Sequence, residues 1–152
     1  MGTSGTCGMF TFGDAKGETI DFDKKEMQTI HDELNTSDSG DIITLGSPQL
    51  GLDEISDLAG MLKGRNFKKR CMIFCPRAIQ EQAGHFGYTK EIERAGGELL
   101  YDCCICLTPL IDKENVDSVI TNSVKGSYYL RTSNGVDVNL KSLSKIVEEE
   151  TK

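Results

Sequence analysis

The stretch KKRCMIFCPRAIQEQAGHF, residues 68–86, contains the structural unit from which this chain is built. Its apolar run up to Phe74 is typical of a buried strand, and we predict a strand over 68–74. Pro76 ends that strand. Because proline is favoured at the first positions of a helix, we predict a helix from Arg77 to Phe86. A strand followed directly by a helix is the repeating unit of α/β proteins.

The same alternation continues on both sides of this unit. We predict strands over 41–46, 98–103, 116–120 and 136–139, and helices over 52–62, 89–95, 124–130 and 140–150. Thr89 is the expected N-cap of its helix, and Ser142 or Asn139 that of the last one. The fold class is therefore α/β, with three layers, α/β/α, around a mainly parallel sheet.

The polar loop 35–40 is the expected domain boundary. We predict an α/β domain over 41–152. Residues 1–40 are expected to form an N-terminal segment that packs on this domain and was cut from a longer chain.

The composition of the chain argues against some classes of binding partner. The chain has 152 residues and a formal net charge of −7. An acidic protein is a poor match for nucleic acid or an anionic membrane, so we expect neither as a partner. No apolar run reaches the roughly 18–20 residues that a membrane span needs. Six cysteines in a chain of this length do not resemble a disulfide framework, and we expect a reducing, cytoplasmic setting.

Polar or sulfur-bearing loops follow four of the predicted strands. The carboxyl ends of parallel strands lie at one edge of a sheet, so we expect these loops to converge there. Arg77 and Lys125, together with the N–H groups at the starts of the following helices, would favour an anion at that edge. The loops are residues 46–49, 75–77, 103–106 and 121–125.

Three thiols, Cys103, Cys104 and Cys106, lie within four residues. Such a cluster supplies soft metal ligands or nucleophiles. A second cysteine pair at zinc-ribbon spacing is missing, so a zinc or thiol redox site on Cys103 and Cys106 is the weakest of the alternatives. Cys71 and Cys7 are expected to be small core residues. His31 and His85 have no partner at metal-ligand spacing.

As an ordered set, these loops resemble the C-terminal part of the large subunit of aconitase X-type hydro-lyases. The match covers nearly the whole chain, although each motif alone is short. It rests on Thr3-Ser4-Gly5, Gly46-Ser47-Pro48-Gln49, Cys75-Pro76-Arg77-Ala78, Asp102-Cys103-Cys104, Thr121-Asn122-Ser123-Val124-Lys125 and Tyr128-Tyr129.

The resemblance implies a dehydratase that removes water from a small hydroxy acid, either phosphomevalonate or a hydroxyproline. It also implies an iron–sulfur cluster acting as a Lewis acid on the departing hydroxyl. Its partners would be the remainder of the large subunit and a separate small subunit, so this chain would not be active alone. The implied cluster ligand is Cys104, assisted by Cys103, Cys106 or Cys75. The implied substrate-binding residues are Asn122, Ser123, Lys125 and Arg77.

Two positions depart from the family pattern. Ser47 stands where the family has a cysteine, and Gln49 stands where it has a histidine. A hydroxyl is a poor ligand for the iron of a sulfur-rich cluster, which takes thiolates. The alternative is therefore a divergent, cluster-free binding or assembly module of the same fold.

Overall fold

The structure is a computed structural model, and it describes residues 12–13, 17 and 21–152. Eleven helices and strands follow one another in these residues. The helices are α1 (Lys24–Leu34), α2 (Leu52–Met61), α3 (Arg77–His85), α4 (Tyr88–Arg94), α5 (Val124–Thr132) and α6 (Leu143–Glu150). The strands are β1 (Ile42–Leu45), β2 (Cys71–Cys75), β3 (Gly97–Tyr101), β4 (Ser118–Thr121) and β5 (Asp137–Leu140).

All five strands form one parallel sheet in the order β3-β2-β1-β4-β5. Every residue of β1 and β2 is buried. Parallel strands covered on both faces read as continuous apolar runs, and this is why the sequence marks these two strands so clearly. The predicted fold class, a three-layer α/β/α architecture around a parallel sheet, is confirmed.

The helices are divided between the two faces of the sheet. One core cluster joins the sheet to α2, α3, α4 and α6 through residues such as Ile55, Ile92 and Ile146. The second cluster joins the other face to α1, α5 and the segment 105–116 through residues such as Leu34, Leu130 and Ile105. Both faces are therefore closed to water, as a parallel sheet requires.

The strand order places a topological switch point between β1 and β4. From β1 the chain proceeds through α2 to β2 on one side, whereas from β4 it proceeds through α5 to β5 on the other. The loops that leave β1 and β4 therefore diverge onto opposite faces. In open α/β sheets, this divergence opens the crevice in which ligands bind.

Several predicted boundaries need correction. The helix predicted over 89–95 begins at Tyr88, and its N-cap is Gly87 rather than Thr89, which is buried. Gly87 has a φ of 79°, a left-handed conformation that lets α3 turn directly into α4. The last helix begins at Leu143, not at residue 140. Of its two predicted caps, Ser142 is the one observed, accepting from the Lys145 N–H.

The strands are displaced by a few residues from their predicted bounds. β2 begins at Cys71 rather than 68, β3 ends at Tyr101 rather than 103, and β4 begins at Ser118 rather than 116. β5 lies one residue later than predicted. Pairing with a neighbouring strand sets each of these ends, and a pattern of apolar residues does not contain that information.

Helix α1 was not predicted at all. Asp23 caps it: its carboxylate accepts from the N–H groups of Lys25 and Glu26, and the Glu26 side chain accepts from the Asp23 N–H. The helix contacts α5 and β5, and His31 Nε2 lies 3.2 Å from the carbonyl oxygen of Leu140. The division of the chain at residue 40 remains a prediction, and Cys7 and Thr3-Ser4-Gly5 lie outside the described residues.

Candidate functional site at the switch point

The loop after β1 turns sharply at Gly46. This residue has a φ of +103°, and a Cβ there would collide with the carbonyl oxygen of Phe74. Glycine is therefore required at position 46 for two reasons: the backbone angle and the close approach of β2. Gly46 leads into the cis Ser47–Pro48 bond, and the loop places Ser47 at the carboxyl edge of the sheet.

The loop after β4 is tied to the loop after β1 by Ser123. Its hydroxyl caps α5 by accepting from the Gly126 N–H at 2.7 Å. The same hydroxyl donates to the carbonyl oxygen of Ser47. Ser123, named above as a substrate-binding candidate, is buried, and its hydroxyl is engaged in joining the two loops. Its neighbours Asn122 and Lys125 are exposed and half-buried, respectively.

Between these loops lies a crevice of about 300 Å³, called here the switch-point crevice. Its lining includes Ser47, Asn122, Lys125 and Glu54. One carboxylate oxygen of Glu54 accepts from the Gly51 N–H at 2.8 Å, so this acidic group is held at the start of α2. In the described part of the chain, no ion pair involves Lys125.

At the start of α5 the electrostatics favour an anion, although the Glu54 carboxylate lines the same crevice. Lys125 is the second residue of α5, and a cation in the first turn opposes the helix dipole rather than complementing it. The first turn of α5 has no acidic residue to offset this charge. A bound anion would satisfy the ammonium group and the helix N-terminus together.

The cysteine loop, residues 102–107, leaves β3 through Asp102. This residue has a φ of 59°, a left-handed conformation that aspartate tolerates better than most residues. Its carboxylate accepts from the Arg77 main-chain N–H at 3.1 Å and from Arg77 Nε at 2.8 Å. These hydrogen bonds from Arg77 lower the pKa of Asp102. The Arg77 guanidinium also lies over the Tyr101 ring, 4.6 Å from its centroid.

Arg77, the fourth substrate-binding candidate, is thus already paired. Its contacts with Asp102 and Tyr101 fix the point at which the cysteine loop begins. In the sequence, Asp102 was marked only as part of the family motif. The usable signal was an aspartate directly after a strand, a position where its side chain commonly caps a neighbouring helix.

The three thiols of the loop are half-buried and surround Ile105, which is fully buried in the core. Burial raises the pKa of Cys106 to about 12 and also raises the pKa of Cys103. The Cys106 sulfur lies 4.0 Å from the carbonyl oxygen of Gly126. Cys75 is fully buried at the end of β2, and burial raises its pKa as well.

A second space of about 400 Å³, the cysteine cleft, lies beside the switch-point crevice. Cys103 and Cys104 line it together with Gln49, and Ser47 and Lys125 line both spaces. The convergence expected for the loops after β1, β3 and β4 is therefore observed. Cys75 lies in the core, and Cys106 lies against the start of α5, where its thiol also interacts with that of Cys104.

Gln49 was noted in the sequence only as a departure from a family pattern. In the structure its Nε2 donates to the Cys103 carbonyl oxygen at 2.8 Å. The side chain thereby connects the loop after β1 to the cysteine loop. Sequence reasoning had no signal for this contact, because it joins residues 54 positions apart.

The cysteines do not by themselves fit an iron–sulfur cluster. Within the described residues, no group of three or more His, Cys, Asp or Glu side chains converges in a way that could hold a metal ion. Cluster irons take thiolates, and at the position of Ser47 this chain offers only a hydroxyl. We therefore derive no catalytic step through a cluster bound by this chain.

No helix among the described residues has both the length and the apolar character to cross a bilayer.

Comparison with known proteins supplies the family. Residues 40–152 match the family model for the aconitase X third domain. The phosphomevalonate dehydratase large subunit of Methanocaldococcus jannaschii is 34% identical over 116 residues, which are 76% of this chain and 28% of that protein. The cis-3-hydroxy-L-proline dehydratase of Hypocrea jecorina is 33% identical over 119 residues, which are 74% of this chain and 20% of that protein.

The same relationship appears in three dimensions. The crystal structure of Thermococcus kodakaraensis aconitase X in its holo-form superposes with a TM-score of 0.80 at 27% identity, covering 90% of this chain and 35% of that one. This chain therefore spans about a third or less of the length of these relatives. With a family match over residues 40–152 and this structural agreement, the chain belongs to the aconitase X family of dehydratases, in which it corresponds to the third domain.

Proposed function

We propose that this chain forms the anion-binding side of the active-site cleft of a hydro-lyase that acts on a small hydroxy acid. The observation that supports this most strongly is the position of Lys125. It lines both the switch-point crevice and the cysteine cleft, it lies in the first turn of α5, and no ion pair of the described residues involves it. A positive group without a protein partner at a topological switch point is suited to a charged ligand.

The proposed role of these residues is to bind and orient the substrate. Lys125 would pair with its carboxylate or phosphate, and the Asn122 amide would donate a hydrogen bond to the same group. Ser123 would hold the two loops at the spacing that this contact requires, because its hydroxyl joins them. Fixing the anionic end places the carbon that bears the hydroxyl at a set distance from the rest of the cleft.

The substrate class follows from the ligand chemistry of the crevice and from the relatives. They are named for phosphomevalonate and cis-3-hydroxy-L-proline, both of which are hydroxy acids with a carboxylate. The remainder of the cleft would come from the rest of a large subunit and from a separate small subunit, and we place the assembled enzyme in the cytoplasm. On this proposal the chain alone has no dehydratase activity.

Any iron–sulfur cluster of such an enzyme would require thiolates from outside the described residues. Cys104 is the residue that this chain would offer, because it lines the cysteine cleft beside Lys125. Anaerobic reconstitution of the assembled enzyme with iron and sulfide tests this contribution. Cys104→Ser should lower the iron content per enzyme, and an unchanged content would remove Cys104 from the ligand set.

One observation favours a second candidate function, a cluster-free binding or assembly module. Ser47 replaces the thiol that the family resemblance implies at this position. Such a module would bind small oxyanions equally well in the presence and absence of iron. Strict dependence of anion binding on iron would exclude it.

The proposed anion site is tested by titrating the chain with inorganic phosphate and with glycolate while following its amide NMR signals. Shifts should concentrate at residues 122–126, and Lys125→Gln should weaken binding by about tenfold or more, the value of a charge-assisted hydrogen bond. Lys90→Gln is the control, because Lys90 is an exposed lysine on α4. Equal affinity in the Lys125 variant and the control would refute the proposed function.

A further inference from the structure

Ser47 has an unusual environment for a serine. Only 5% of its surface is exposed, and its hydroxyl has no hydrogen-bond partner within the described residues. Buried hydroxyls are normally paired, since an unpaired one loses its water without replacement. Ser47 nevertheless lies in the lining of both the switch-point crevice and the cysteine cleft.

Two polar side chains of the switch-point crevice are already hydrogen-bonded. The Ser123 hydroxyl bonds to the main chain of both loops, and one oxygen of Glu54 accepts from Gly51. Within the described residues, the crevice keeps three donors without a protein partner: the Ser47 hydroxyl, the Asn122 amide and the Lys125 ammonium. These donors are complementary to an oxyanion, although the Glu54 carboxylate lines the same crevice.

We infer that Ser47 donates its hydroxyl hydrogen to the oxyanion bound in the switch-point crevice, and that this contact needs no metal. The inference rests on the proposed function, since it assigns a further residue to the same site. It gives Ser47 a role different from the metal-ligand role that the family resemblance attaches to a cysteine at this position. The loop remains in place, while its side chain changes from a ligand for iron to a donor for the substrate.

The difference between a serine and a cysteine side chain at position 47 makes the inference testable. A hydroxyl is a strong hydrogen-bond donor, whereas a thiol is a weak one of similar shape. Ser47→Cys should therefore keep the packing of the loop but lose most of the donor strength. Ser47→Ala removes the donor entirely and leaves no new polar group.

The experiment is a titration of the purified chain with inorganic phosphate and separately with glycolate, both in EDTA. The two ligands distinguish a phosphate from a carboxylate as the preferred group. We expect Ser47→Ala to weaken binding of the preferred ligand by about tenfold, the value of one hydrogen bond to a charged group. Ser47→Cys should be weakened nearly as much. Ser39→Ala, which alters an exposed serine whose hydroxyl bonds to none of the described residues, should bind like the unmodified chain.

The outcomes separate the two proposals. If Lys125→Gln abolishes binding while Ser47→Ala and Ser47→Cys both leave it unchanged, the role of Ser47 is refuted and the proposed function stands. If neither oxyanion binds the unmodified chain, both proposals fail. If the amide spectrum shows that Ser47→Ala does not fold, Ser47→Cys is used instead. Unchanged affinity in that variant refutes the inference.

Discussion

The side-chain amide of Gln49 donates to the main-chain carbonyl of Cys103 at 2.8 Å, joining the loop after β1 to the loop after β3 across the end of β2. It acts together with the contact of Ser123 to the Ser47 carbonyl, which joins the loops after β1 and β4. Loops from three strands are therefore held in register by side chains. The positions of Lys125 and Cys104 relative to each other depend on these two contacts.

Replacing Gln49 should loosen the cysteine loop. Gln49→Met keeps the length of the side chain but removes the donor, so we expect a loss of about 1 kcal/mol in the free energy of unfolding. The thiols of Cys103 and Cys104 should also react faster with a disulfide reagent. Urea unfolding and thiol-reaction kinetics measure the two effects. Gln82→Met, on the exposed side of α3, is the matched control, and equal behaviour of both variants would contradict a structural role for Gln49.

Adding a methyl group at Gly46 should strongly destabilise the fold. Gly46→Ala introduces a Cβ that collides with the Phe74 carbonyl and forces a side chain into a φ of +103°. We expect a loss on the order of 3 kcal/mol or more. Gly60→Ala in α2 is the control, because a Cβ there meets nothing within 4 Å. That control should stabilise the fold by up to about 1 kcal/mol. A Gly46 variant as stable as the control would show that the loop is not fixed by this contact.

The pair formed by Asp102 and Arg77 should make the fold sensitive to acid. Arg77 lowers the pKa of Asp102 in the folded state, so the contribution of this pair is present above the unfolded pKa of about 4. It is lost as the pH falls through the lower, folded value. Asp102→Asn retains an acceptor for the Arg77 N–H and tolerates a φ of 59°, but it should remove this pH dependence.

Thermal unfolding from pH 2 to pH 6 measures the effect of Asp102. Asp102→Ala should lower the melting temperature across the whole range, because it also removes the acceptor of the Arg77 N–H at the start of α3. If the asparagine variant shows the same decline in melting temperature below pH 4 as the unmodified chain, the pair does not contribute to acid sensitivity.

Alkaline conditions should destabilise the fold through buried thiols. Burial raises the pKa of Cys106 to about 12 and raises that of Cys75, while cysteines of the unfolded chain ionise near pH 8.5. The buried, protonated thiols therefore make their full contribution to the free energy of unfolding below about pH 8.5. This contribution is lost as the pH rises toward 12, because the thiols of the unfolded chain then ionise. Cys106→Ala should flatten this decline in urea midpoints between pH 8.5 and 11. Identical slopes in the two proteins would contradict the shifted pKa.

The sequence predicted the strands of the interior well because parallel strands covered on both faces consist of nearly continuous apolar residues, as Cys71–Cys75 shows. It failed for α1, of whose residues only Leu34 is buried. Its apolar residues Met27, Ile30 and Leu34 nevertheless follow helical spacing, and with the capping box of Asp23 and Glu26 they were a local signal that could have predicted α1.

For the candidate site, too, some features could be predicted from the sequence and others could not. Convergence of the loops followed from the parallel sheet, so Ser47, Asn122, Lys125 and Cys104 could be grouped in advance. The engagement of Arg77 by Asp102, of Ser123 by Ser47 and of Gln49 by Cys103 could not. Each joins residues at least 25 positions apart, and no local pattern specifies such pairs.

The central claim, that this domain holds the anionic end of a dehydratase substrate, is tested most directly by turnover of the assembled enzyme. The complete large subunit that includes this chain, combined with its small subunit, is assayed for dehydration of phosphomevalonate and of cis-3-hydroxy-L-proline. We predict that Lys125→Gln lowers kcat/KM for the accepted substrate by roughly 10–100-fold, while Lys90→Gln leaves it unchanged. Full kcat/KM in the Lys125 variant, or no dehydration of either hydroxy acid by the unmodified assembly, would contradict the account.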